Sequence, residues 1–163
     1  MEADEVVALL NVLEQEQIGV VVDGGWGVDA LLGRQTRPHG DLDIAIEHKH
    51  VVRLRRLLEA KGFSEVPQPG SSDFNFALAD GLDQKVDVHS YTLDSNGQCI
   101  YGISYPVDSL TGTGSIGSRV VRCISAEWVV KFHTQYEPDE NDFRDVLAVC
   151  NRFGIAVPSK YVR

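Results

Sequence analysis

DGGWGVDALLGRQTRPHGDLDIAI, residues 23 to 46, decides how this chain is read. It follows a short apolar run, Val20 to Val22, that has the composition of a strand. Two adjacent glycines, Gly24 and Gly25, come next, and Trp26 to Leu32 is predicted as a short helix stopped at Gly33. The stretch ends in an alternating run with two acids one residue apart. Successive strand side chains point to opposite faces. Asp41 and Asp43 therefore share one face, and Leu42, Ile44 and Ile46 share the other, which is the core face.

Outward from there, the chain divides into further elements. Residues 4 to 17 carry Val6, Leu9, Leu10 and Leu13 at helical spacing, ended by Gly19. Val51 to Ala60 is a second amphipathic helix, with Leu54, Leu57 and Leu58 inward and Gly62 closing it. Phe74, Phe76 and Leu78 alternate as a strand, Asp80-Gly81 is a turn, Lys85 to Tyr91 alternates again, and Ser95-Asn96-Gly97 is a second turn. Arg119 to Ile124 is the last strand. Ser125 is a candidate N-cap for a helix from about 126 to 136, which Pro138 breaks. A final helix spans about 140 to 153, with Phe143, Val146, Leu147 and Val149 as its buried side. The Gly-, Ser- and Thr-rich stretch 104 to 118 is the loosest. Its segment TGTGSIGS (111 to 118) lacks the lysine of a phosphate-binding loop and is predicted as flexible. The order α-β-α-β-α, then mostly β, then two helices, implies an α/β (α+β) domain with a mixed β-sheet packed with helices and a helical C-terminal part. One domain, 1–163, is expected, with a core of about 1–124 and C-terminal helices over about 125–163.

Composition sets the outer bounds. The 163 residues are 43% hydrophobic and 24% charged, ordinary for a globular domain with its own core. The formal charge of −9 repels phosphates, which argues against nucleic acid as a partner and suits a cationic small molecule. No apolar run approaches the roughly 20 residues of a membrane span, and the acidic start MEADEVVALL is a poor secretory signal, so a cytoplasmic protein is expected. Cys99, Cys123 and Cys150 form no CxxC pair and read as reduced cysteines.

The run KVDVH repeats the arrangement of the first acid pair. Lys85, Asp87 and His89 face one way, Val86 and Val88 the other. Neighbouring strands would then present three carboxylates to one point. Such acids repel one another unless a cation joins them, and oxygen-only ligation suits Mg²⁺ or Mn²⁺. Magnesium adds substrate phosphate oxygens to few carboxylates, so the pattern points to phosphoryl or nucleotidyl transfer. Gly24 and Gly25 leave bare backbone for phosphate oxygens near a helix start. Arg37 and His39, just before the acids, are placed to meet a triphosphate. If Asp87 does not serve, Asp83 is the next candidate for the third acid. His89 lies on the face of Asp87, and His133 and Tyr136 are neighbours on a helix, all three candidates for substrate contact. Lys131 is a possible phosphate ligand or a solvated lysine. Glu137, Asp139, Glu140 and Asp142 read as helix-start charge that could attract an aminated substrate. His48 and His50 read as surface residues.

GGWG, TRPHGDLDIAI and VDVH together resemble the nucleotidyltransferase superfamily of DNA polymerase β type, whose signature is a glycine pair, D-x-D and a third acid on a later strand. The form DGGWGVDALLG with R-x-H-x-D-x-D, and CISAEWVVKFHTQYEPDENDFRDV over 123 to 146, resemble its small antibiotic-modifying branch, most of all the short lincosamide nucleotidyltransferases. The resemblance implies the nucleotidyltransferase fold. It makes Asp41 and Asp43 metal ligands and Asp87 a ligand, general base or both. It gives Gly24, Gly25 and Trp26 the phosphate loop, and Arg37 and His39 the triphosphate. The expected reaction is metal-dependent transfer of a nucleoside monophosphate, AMP from ATP, to a hydroxyl of a lincosamide, with an aminoglycoside as the alternative acceptor. A protein-modifying nucleotidyltransferase of toxin–antitoxin type and a non-catalytic nucleotide-binding module are further alternatives. A homodimer is implied by the same likeness.

Overall fold

The computed structural model describes residues 1–82 and 84–162; Asp83 lies outside the described residues. In chain order the elements are α1 (Ala3–Gln15), β1 (Val20–Val22), α2 (Gly24–Leu32), β2 (Leu42–Glu47), α3 (Val51–Glu59), β3 (Ser64–Val66), β4 (Asn75–Ala79), β5 (Lys85–Leu93), β6 (Cys99–Gly102), β7 (Gly112–Ile116), β8 (Arg119–Cys123), α4 (Ala126–His133) and α5 (Glu140–Phe153). Among the described residues the strands form one mixed sheet in the order β3-β4-β5-β2-β1-β8-β7, with β6 also on β5. β5 is long enough to use one edge twice. Lys85 to His89 pair with β4 and Tyr91 to Leu93 with β6, while the other edge holds β2.

β2 and β5 carry the centre. They run parallel, and the register sets Leu42 opposite Val86, Asp43 opposite Asp87 and Ile44 opposite Val88. Leu42, Ile44, Ile46, Val86 and Val88 are fully buried. Burial of such side chains, at about 1.5–3 kcal/mol each, fixes the register, and a slip of one residue would turn the acids inward. α2 begins two residues earlier than the sequence suggests, so both glycines lie in its first turn. Asp23 is its N-cap, accepting from the Gly24 N–H at 2.8 Å, and Gly33 ends it in the left-handed conformation.

Several expectations need correction. TGTGSIGS is not a flexible loop: its centre is β7, paired with β8 from Gly112↔Cys123 to Ile116↔Arg119 and packed against α2. A Cβ at Gly114 would collide with the Ala30 carbonyl, so only glycine lets α2 lie this close. β3 and β6 are strands of three and four residues that show no readable alternation in the sequence. α1 ends at Gln15, four residues before Gly19, and Gln17 takes the positive φ. α4 stops at His133 rather than near 136, and Ser125 stands at its N-cap without a side-chain capping bond. On α5, Val146 and Val149 are buried, whereas Leu147 is exposed. Cys123 and Cys150 are buried, Cys99 is half-buried, and all three are free thiols.

Candidate active site

Asp43 and Asp87 project from one face of the β2/β5 pair, as the alternation requires. Asp41 immediately precedes β2 instead of lying within it. Gly24 sits directly over Asp43: its φ is +56°, and a Cβ there would run into the Asp43 carboxylate. Gly25 is equally constrained, since a Cβ would meet the His39 ring and lie 2.7 Å from an Arg37 guanidinium nitrogen. The glycine pair is thus dictated by the carboxylate, the imidazole and the guanidinium that it faces.

The electrostatics are those of crowded acids. Burial raises the Asp43 pKa, and the charges of Asp41 and Asp23 raise it further; His89, with Nε2 3.6 Å from Asp43 Oδ1, opposes them. For His89, burial acts to lower the pKa, but the Asp43 charge prevails and the net shift is upward. Lys85 Nζ donates to Asp87 Oδ2 at 2.8 Å and to Asp41 Oδ2 at 3.3 Å. Asp43 and Asp87 share a face, Asp41 stands just before the strand, and the three do not converge on one point. Among the described residues no three acid, histidine or cysteine side chains are gathered closely enough to hold a metal.

Arg37 and His39 differ in how they are held. Burial would lower the Arg37 pKa, but its bond to Asp145 on α5, at 2.9 Å, more than compensates, and Arg37 stays charged beside Gly25. His39 is buried, with Nε2 2.5 Å from Asp29 Oδ2. Asp29 Oδ1 in turn accepts from the Thr36 hydroxyl and backbone N–H at 2.5 and 3.0 Å. Trp26 is also buried, its ring 4.7 Å from that of His39. Trp26 and His39 therefore support the glycine turn from beneath.

A cleft of about 590 Å³ opens in front of these groups. Asp23, the glycines, Arg37, Asp43 and His89 form one wall; Phe132, His133, Tyr136, Asp142 and Asp145 contribute to the other. Tyr105 OH donates to Asp23 Oδ2 at 2.7 Å, and burial with the Asp23 charge raises its pKa well above 10. Tyr136 OH donates to Asp142 Oδ1 at 3.0 Å, and His133 Nε2 lies 3.5 Å from the same oxygen. Asp142 also belongs to the reciprocal N-terminal cap of α5 with Asp139. Lys131 is exposed, its ammonium over the Trp128 ring at 4.1 Å. Sequence reading passed over Asp23, Asp29, Tyr105 and Asp145. Asp23 had a usable signal, since an acid before a glycine-started helix is an N-cap. Asp145 had none, because its partner lies 108 residues away.

A glycine turn at a helix start, set against in-register acids on adjacent parallel strands, defines a nucleotidyltransferase site. The comparisons agree. The chain belongs to the aminoglycoside-2''-adenylyltransferase family, whose profile matches residues 5–149. It is 30% identical to a lincosamide resistance protein of Staphylococcus haemolyticus, covering 87% of this chain and 90% of the relative. It is 26% identical to a 2''-aminoglycoside nucleotidyltransferase of Escherichia coli, covering 75% and 67%. Among solved structures it resembles the lincomycin-bound lincosamide antibiotic adenylyltransferase LnuA, with a TM-score of 0.77 and 26% identity over 90% of this chain and 94% of the other. The protein is a nucleotidyltransferase enzyme of the antibiotic-resistance type. Such an enzyme uses a nucleoside triphosphate and a divalent metal. In donor chemistry, though not in their spacing with Lys85 between Asp41 and Asp87, the acids suit a hard cation. The donors are carboxylate oxygens, and Asp87 Oδ1 is buried with no hydrogen-bond partner among the described residues. No described helix is long and apolar enough to cross a membrane.

Proposed function

We propose that this chain transfers AMP from ATP to a hydroxyl of a lincosamide, with Mg²⁺ or Mn²⁺ held by Asp41, Asp43 and Asp87. The observation that carries the reading is the register Asp43↔Asp87 beneath a Gly24 that tolerates no side chain over Asp43. The lincosamide is favoured because the relative with 30% identity is a lincosamide resistance protein of nearly the same length.

Gly24 and Gly25 admit the triphosphate to the α2 N-terminus, where backbone N–H groups and the helix dipole favour anions. Arg37, fixed by Asp145, meets its charge, while His39 on Asp29 keeps the turn rigid. A divalent metal held by Asp41, Asp43 and Asp87 would supply positive charge against the phosphates and acidify the acceptor hydroxyl. Asp87 takes the proton of that hydroxyl as general base. The acceptor oxygen forms a bond to the α-phosphorus as the bond to the pyrophosphate oxygen breaks, and pyrophosphate leaves. His133 and Tyr136 line the acceptor's side of the cleft, His89 reaches it from beside Asp43, and Asp142 attracts the cationic amine. By likeness to short relatives the enzyme acts as a homodimer, which light scattering on the purified chain would check.

The test is incubation with ATP, Mg²⁺ and lincomycin, followed by mass spectrometry. An adduct of one AMP per drug, with pyrophosphate released, is expected. An aminoglycoside acceptor is the second reading, supported by the family profile and by Asp142 on the cleft wall. Adducts on tobramycin or kanamycin, with none on lincomycin, would select it.

A further inference from the structure

The reaction as described gives no part to Lys85, although it is the cation nearest the acids. β5 alternation puts Lys85 and Asp87 on one face, and the parallel register sets that face beside Asp41 and Asp43. The ammonium joins carboxylates from two different segments, Asp87 at 2.8 Å and Asp41 at 3.3 Å. Both are oxygens that the metal-binding reading assigns to a divalent cation. An exposed surface lysine gains little from one acid. This one is about a third exposed and bridges two, of which Asp41 also presses on Asp43.

Resting on that metal-binding reading, we propose that Lys85 is the resident counter-ion of the carboxylate cluster: its ammonium holds Asp41 and Asp87 while no divalent cation is bound, and must swing away when one binds. The side chain is suited to both states. Its ammonium is a compact point charge on a flexible four-carbon stem, whereas a guanidinium would grip two acids through a rigid fork. With a third of its surface in solvent, it has an exit. While in place, it offsets the repulsion that would spread β2 from β5, and it also competes with the incoming cation. Metal affinity of the nucleotide-free protein is thereby held below what the acids alone would give.

Lys85→Met removes the charge and keeps the stem; Lys85→Arg keeps the charge. Mn²⁺ affinity is measured calorimetrically without nucleotide, and melting temperature is measured with chelator and with Mn²⁺. Lys85→Met is expected to bind Mn²⁺ at least about fivefold tighter than wild type, the scale of removing a unit charge several ångströms from a divalent ion in high dielectric. It should melt lower in chelator and gain more from Mn²⁺, while Lys85→Arg binds no tighter than wild type. Equal or weaker Mn²⁺ binding by Lys85→Met, with wild-type binding intact, would overturn the proposal alone. Wild type that binds no Mn²⁺ would overturn the metal site itself, and this inference with it. A variant-free check covers poor folding of Lys85→Met: acylation of Lys85 in wild type should speed up on adding Mn²⁺, and an unchanged rate would count against displacement.

Discussion

Gly24 is the residue on which site and fold meet. Its φ of +56° disfavours any side chain, and the space that a Cβ would take belongs to the Asp43 carboxylate. Gly24→Ala should therefore lower the melting temperature and also reduce transfer by at least about a hundredfold, since an ångström of misplacement at a reacting centre costs that much. Gly62→Ala is the control, because its φ is +92° but no atom lies within 4 Å. It should destabilise by about 1 kcal/mol through the backbone alone and leave transfer intact. Equal transfer in the two variants would remove Gly24 from the site. Asp43 gives a prediction of unusual sign. Its raised folded-state pKa means that the neutral carboxyl is favoured, so its stabilisation is complete below the ordinary value of 3.8 and lost as pH rises through the folded value. At pH 7 the charge is a burden on the fold. Asp43→Asn should abolish transfer yet melt higher than wild type in chelator. A lower melting point would mean that the His89 contact outweighs burial and repulsion. Asp87→Asn should still bind ATP but transfer at least about a hundredfold more slowly in single turnovers, the low end for a general base.

At the level of elements, β7 shows where sequence reading stops. Of Gly112, Thr113, Gly114 and Ser115, only Thr113 favours a strand. They form a strand because β8 offers an open edge and α2 needs a surface without side chains. Both causes lie elsewhere in the chain. β3 and β6 were missed for a related reason, being too short to show a period of two. In contrast, β2 and the start of β5 were legible residue by residue, because alternation there serves a buried face and a polar one. The same logic made Asp43 and Asp87 readable as one site, whereas the Arg37–Asp145 pair, joining the α2–β2 connection to α5, was hidden by its long separation. Leu147 was misassigned because the side of α5 that packs into the core runs through Val146, Val149 and Cys150 and leaves it facing out. Gly114→Ala tests the β7 account. It should cost about 1–3 kcal/mol in urea unfolding, the range for overpacking, as α2 is pushed from the sheet. Unchanged stability would show that α2 has room to spare.

The molecule as a whole carries a charge of −9, yet it must admit both an anionic nucleotide and, on the proposed reading, a cationic drug. Arg37, held by Asp145, faces one ligand and Asp142 lines the way of the other, so a single cleft carries both signs. Raising KCl from 50 to 300 mM should raise KM for the drug by about threefold, as screening at a Debye length below about 10 Å removes the attraction, with kcat little changed. A flat KM would show that the acids do not steer the acceptor. The β2/β5 register has a longer consequence, for descent. From Leu42 to Ile44 and from Lys85 to His89, core residues alternate with residues at or beside the acids, so an insertion or deletion there destroys both at once. The α4–α5 connection pays no such double penalty: Gln135 and Tyr136 line the cleft but are exposed. Lineages that shift from one drug to another should therefore accumulate their changes around residues 133 to 142 and keep the spacing of 41 to 47 and 85 to 89 unaltered.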